Sequence, residues 1–175
     1  MRSLIPLVSM ILAGSLACTA VHADDASCKP VRDAMLAKTT AKYDDKIVTT
    51  MPGRKPIVSE EIYTLDATWH LLLGRWIRTP TSPQKELDGE KGIRATFTGC
   101  RREGDSTIGG DPVAIYTAKT ANLTLITFSG DLKVWVSRKN GLPLRTEANA
   151  SVPILGRSHT VKSYRYDNIR PPAPN

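Results

Sequence analysis

Short runs rich in β-branched and aromatic residues, each cut off by glycine, proline or asparagine, recur along most of this 175-residue chain. Runs of that length and composition read as strands, and breaks that short read as hairpin turns, so the sequence points to an antiparallel sheet. Tyr43 to Met51 is rich in Tyr, Ile, Val and Thr and closes at Pro52-Gly53. Pro56 to Leu65 and Ala67 to Leu73 follow, and Gly74-Arg75 turns the chain into Trp76-Ile77-Arg78 before Thr79 and Pro80 stop the sheet. Beyond a loop from Glu103 to Gly110, strands are expected over 113–120, 123–128, 132–138, 142–150 and 159–169. Asn140-Gly141 is the strongest turn signal, because a two-residue primed turn needs positive φ at both central positions.

Two segments have a different period. Ser27 is placed to cap a helix with Cys28 and Pro30 in its first turn and Val31, Ala34, Met35 and Lys38 along one face, over 27–41. Ser82-Pro83 has the form of a second cap, followed by a polar segment from Gln84 to Arg101 that reads as a helix weakened by Gly89 and Gly92. The expected architecture is α+β: about nine strands in a strongly curved antiparallel sheet, forming an incomplete β-barrel covered by two helices. Pro171-Pro172-Ala173-Pro174 cannot join a ladder, which makes 171–175 a proline-rich tail after a single domain over 24–170.

The first 23 residues have the order of a cleavable secretory signal: Arg2, an apolar run from Leu4 to Ala17, then small residues up to Val21-His22-Ala23. That run falls short of the roughly 20 apolar residues a membrane span requires. Cys18 would be an acylation site in a lipobox, but Ser15 stands where such a box wants leucine. After cleavage Cys28 and Cys100 remain, and two cysteines in an oxidising compartment are most simply a disulfide; two buried free thiols are the alternative, and no metal-ligand spacing joins them to His70 and His159. The formal charge of +7 is scattered, and aromatics are 6% of residues, too few to supply stacking platforms for nucleic acid. Attraction to an anionic membrane surface is the likelier specific use of that charge, and solubility a simpler one.

No nucleophile elbow, zinc-protease motif or phosphate-binding loop occurs, so the chain reads as non-enzymatic and without metal or cofactor. His70, between Trp69 and Leu71, reads as structural, and Glu60-Glu61 and Asp44-Asp45 each divide between opposite faces of a strand. Apolar residues are spread over many strands instead. If the helices leave part of the sheet uncovered, alternation nominates Trp69, Leu71, Ile126, Phe128, Val134 and Val136 as the lining of an apolar cavity.

The stretch from Lys133 through Trp135, Asn140-Gly141-Leu142-Pro143 and Leu144 to Arg145 resembles the strand, turn and strand of the LolA/LolB-like superfamily of periplasmic lipoprotein-sorting proteins. Tyr164-Arg165-Tyr166-Asp167-Asn168-Ile169 is similar to that family's last strand. The resemblance implies an incomplete barrel closed by helices, a periplasmic location, and an apolar cavity for a lipid or the acyl chains of a lipoprotein. Peripheral membrane contact, an envelope protein partner and a monomeric state go with it. The family's carriers latch their helical lid with an arginine of an early strand, whereas Arg54 here falls in a turn. The alternative is an envelope-associated interaction module with a solid core and no ligand.

Overall fold

A computed structural model describes residues 26–94, 97–121, 129–152 and 156–173. The expected signal segment and the expected strand over 123–128 lie outside the described residues. Among the described residues nine antiparallel strands form one open sheet: β1 (Tyr43–Thr50), β2 (Ile57–Tyr63), β3 (Ala67–Leu72), β4 (Arg75–Pro80), β5 (Phe97–Ile108), β6 (Asp111–Ala121), β7 (Ser129–Ser137), β8 (Pro143–Val152) and β9 (Gly156–Arg165). The spatial order is β4-β3-β2-β1-β9-β8-β7-β6-β5. Two meanders are therefore joined where β9 returns beside β1, with Asp45 opposite Tyr164 and Thr49 opposite Thr160. Strands β4 and β5 are the two edges, so the barrel is incomplete.

The first helical segment forms as expected, with α1 (Lys29–Ala37) flanked by 3-10 turns at Ala26–Cys28 and Lys38–Thr40. Its N-cap is Cys28 rather than Ser27, and no side chain of Cys28 caps it. The second helix, α2 (Pro83–Arg94), starts on Ser82, whose Oγ accepts from the Lys85 backbone N–H at 3.2 Å. It stops well before Arg101. Residues expected to extend the helix, and the expected loop after it, are instead the 12-residue edge strand β5. That strand has no apolar alternation because it is largely exposed and twice out of register with β6, between Thr98 and Arg101 and between Arg102 and Gly104. Gly99 (φ +58°) and Gly104 (φ +156°) sit at these irregularities, where bulges use backbone that other residues adopt at a cost.

Two smaller expectations change. Strand β4 runs through Thr79 to Pro80, which an edge strand tolerates. The β7–β8 connection spans 138–142, with only Gly141 (φ +75°) in the left-handed region, so Asn140 does not form a two-residue primed turn. Its side chain closes the turn by accepting from the Leu142 N–H at 3.0 Å.

Cys28 and Cys100 form a disulfide that fastens the start of α1 to β5, not helix to helix. Around it Val31 and Met35 of α1 pack on Phe97, Ala118 and Val134. Full burial of a side chain such as Val134 contributes about 1.5–3 kcal/mol. At its far end the helical segment is held by the Tyr63 hydroxyl, which donates to the Thr39 carbonyl at 2.9 Å. The helix thus crosses one face of the sheet diagonally, from β5 to β2. The corner formed by the end of β1, the end of β8 and the start of β9 is left without a helical cover.

Candidate ligand site

Register identifies what lines the helix-bearing face. One row runs from Tyr116 through Val134, Thr146 and Lys162 to Ile47. The next runs from Ala118 through Leu132, Ala148 and Thr160 to Thr49, and a third from Thr120 through Gly130 and Ala150 to Ser158. The last row is made of small residues, and it lies in the uncovered corner. At this end of the sheet a cavity of about 800 Å³ opens, bordered by these four residues, by Thr50, Lys119, Asp131, Asn149, Ser151, Arg157 and His159, which alternate with the helix-side positions along their strands, and by Met51 and Pro52. The volume lies within the roughly 300–1,000 Å³ of small-molecule sites. Gly130 is required at its floor, because a Cβ there would stand 2.2 Å from the Asn149 carbonyl oxygen. Most of the bordering side chains are polar; the apolar ones are Met51, Pro52 and Ala150.

At the opposite end of the same face, under the last turn of the helical segment, lies a cluster of tyrosines and charges. Tyr43 packs against Tyr63, Tyr164 and Tyr166 with ring centroids 5.3, 5.8 and 6.4 Å away, the last two edge-on. The Lys38 ammonium sits 5.0 Å from the Tyr43 ring centroid and 5.5 Å from that of Tyr164, and 3.6 Å from Glu90 of α2. Glu61 accepts from the Tyr43 hydroxyl at 3.0 Å and lies 3.3 Å from His70 Nδ1. Burial, reinforced by the Glu61 and Asp45 carboxylates, pushes the Tyr43 phenol far up. The Asp45 side chain has no exposed surface, and neither of its oxygens meets a well-aligned donor; the Lys162 ammonium is 3.4 Å from Oδ2. Burial raises the Asp45 carboxyl to about 6, opposed by the attraction of Lys162 and Lys38. As expected for neighbours in a strand, Asp44 faces the other way, where it pairs with Arg165. Among the described residues no group of three or more His, Cys, Asp or Glu could hold a metal ion.

The residues nominated from alternation are not brought together. Val134 is fully buried in the packed cluster beneath α1, and Val136 packs beside it. Trp69 lies on the outer face: it pairs with Ile62 and Arg78, in rows that alternate with the helix-side row of Glu61 and His70, and the Arg78 guanidinium lies 5.9 Å from its ring. Leu71, two residues on, shares that face. Ile126 and Phe128 are outside the described residues. Alternation did not point to Gly130, Ala150 and Ser158, which border the cavity. They make room because they are small, and nothing in their hydrophobicity marks them.

The cavity mouth shares its end of the sheet with the β1–β2 and β3–β4 turns. At these turns apolar side chains stand in solvent: Ile57, Val58, Leu72 and, fully exposed, Leu73. Arg54, Lys55 and Arg75 are exposed beside them. Among the described residues no helix is long and apolar enough to cross a membrane.

No family model matches the chain, and no curated protein matches it. Solved structures do share its layout. LprF from Mycobacterium bovis is similar over 83% of this chain and 94% of its own, with 10% identity and a TM-score of 0.46. MucB, solved in complex with MucA(peri), is similar over 84% of this chain with 12% identity and a TM-score of 0.49; the chain spans 57% of MucB. A LolA superfamily protein from Nitrosomonas europaea is similar over 81% of this chain and 94% of its own, with 9% identity and a TM-score of 0.27. With identities this low and TM-scores below 0.5, these likenesses decide nothing about this chain's role.

Proposed function

We propose that this chain is a periplasmic, non-enzymatic binding protein that holds a lipid or similar hydrophobic ligand on the helix-bearing face of its sheet. The observation that carries the reading is the cavity of about 800 Å³ at the end of the sheet that α1 leaves uncovered, where Thr120, Gly130, Ala150 and Ser158 are its helix-side border. Larger side chains on those strands would fill the space, as Val134 and Phe97 fill the part beneath α1. Each methylene moved from water into such a site contributes about 0.8 kcal/mol, so one acyl chain supplies useful affinity even where part of the wall is polar. The exposed apolar turns at Leu72-Leu73 and Ile57-Val58 lie at the same end of the sheet as the cavity, a surface on which a membrane-derived ligand could be met.

The direct test is organic extraction of protein purified from its native host, followed by mass spectrometry, with N-phenyl-1-naphthylamine fluorescence on the delipidated protein. A co-purifying lipid and saturable dye binding are expected, and Ala150→Trp, which fills the floor, should abolish dye binding while leaving the circular dichroism spectrum unchanged. Absence of both lipid and dye binding would remove the reading.

A further inference from the structure

The proposed ligand site has a polar end that its apolar character does not require. Of the helix-side residues on the four central strands β1, β9, β8 and β7, Lys162 is the one cation: its neighbours along β9 on that face are Ser158, Thr160 and Tyr164, and across the ladder it meets Ile47 and Thr146. The side chain is 32% exposed, so a ligand can reach it. Between it and the cavity the helix-side residues are Ile47, Thr49, Ala148 and Thr160, all partly exposed, so no fully buried side chain stands on that face between Lys162 and Ser158. Four residues of extended strand make that path on the order of 13 Å.

The counter-ion of Lys162 is poorly suited to keeping it. Asp45 is wholly buried, its oxygens lack well-aligned donors, and the separation of 3.4 Å is long for a charge-assisted hydrogen bond. Asp45 also faces the Lys38 ammonium from the helical segment and the Glu61 carboxylate from β2, so it is not committed to Lys162 alone. The Glu61 carboxylate attracts Lys162 from β2 as well, and an ammonium held this loosely retains donors for a second anion.

We infer that Lys162 is the receptor for the anionic head of a single-chain amphiphile, a carboxylate or a phosphate, whose tail runs along Thr160 and Ala148 into the cavity. The inference rests on the lipid-binding reading above and adds the class of head group and the direction in which the ligand lies. It makes Lys162 a specificity-determining residue: a chain with an anionic head gains an ion pair in a partly desolvated site, and a neutral one leaves the ammonium with Asp45 and Glu61.

The test is displacement of N-phenyl-1-naphthylamine from the delipidated protein by laurate, dodecyl phosphate and dodecanol, which share one chain. Laurate or dodecyl phosphate should displace the dye about tenfold more tightly than dodecanol, and the tighter of the two identifies the head. Lys162→Met should bring all three ligands to the dodecanol value, Lys162→Arg should keep the preference, and Asp45→Asn, which releases the ammonium, should widen it. Equal displacement by all three in the wild-type protein would overturn the head-group assignment while leaving the apolar site standing. A preference that survives in Lys162→Met would also overturn it, by placing the anion elsewhere. If no chain displaces the dye, or the dye does not bind, the lipid-binding reading itself fails and takes this assignment with it. Should Lys162→Met fail to fold, the wild-type comparison and Asp45→Asn decide the matter without it.

Discussion

Reducing the Cys28–Cys100 bridge should cost this fold a large part of its stability. The bridge closes a loop with a sequence separation of 72, and on the chain-entropy account that restraint on the unfolded chain is worth about 4 kcal/mol. Domains of this size are stable by about 5–15 kcal/mol in all, so the reduced protein should remain folded at 25 °C but with little margin. Both cysteines are buried in the cluster of Val31, Met35, Phe97 and Val134, so reduction with dithiothreitol, which leaves their packing nearly intact, isolates the loop effect better than Cys28→Ala/Cys100→Ala. Urea unfolding followed by tryptophan fluorescence should show the midpoint falling by about 2 M, for a slope near 2 kcal/mol/M, with the slope little changed. A loss of less than about 1 kcal/mol would refute the reasoning. So would a fall in slope at constant midpoint, which would mean that α1 simply detaches from β5 when the bridge opens and is not part of the cooperative unit.

Asp45 should make stability depend on pH in the direction opposite to a salt-bridged surface carboxylate. Its folded value of about 6 lies above the ordinary 3.8, so its ionisation weakens the fold by about 3 kcal/mol above pH 6, and the penalty is relieved as pH falls from 6 towards 4. Asp45→Asn should remove that dependence, and a difference in unfolding free energy between variant and wild type that does not grow as pH rises through 6 would contradict it. Gly130→Ala drives a Cβ against the Asn149 backbone oxygen and should destabilise by about 1–3 kcal/mol or more, measured by denaturant unfolding, with loss of dye binding as the cavity floor shifts. Tyr63→Phe removes a buried donor and leaves the Thr39 carbonyl unmet, at a cost of about 1–3 kcal/mol; hydrogen exchange should show the 3-10 turn at Lys38–Thr40 opening before the rest of the sheet.

The sequence by itself determined the parts of this protein that depend on neighbours along the chain. Strand-forming runs between turn residues, the capped start of α2 at Ser82-Pro83 and the amphipathic period of α1 are local, and each appears close to where the residues place it. Local signals fail at β5, because an exposed edge strand carries no apolar alternation and its glycines serve bulges that only the partner strand β6 calls for. They fail again in the turn at Asn140-Gly141, where Ser137 and Leu142 set a longer connection.

Only the tertiary structure decided which face of the sheet is inside. Alternation says that Trp69 and Leu71 share a face and that Val134 and Val136 share a face, but whether these are the same face depends on the register passed through β2, β1, β9 and β8, strands that lie between them in space and not in sequence. The diagonal path of α1, fixed by the bridge to β5 at one end and by Tyr63 at the other, then settled which part of the inner face is packed and which stands open. A cavity is a matter of what is missing, and small residues such as Gly130 and Ala150 disclose it only once the larger side chains around them have positions in space.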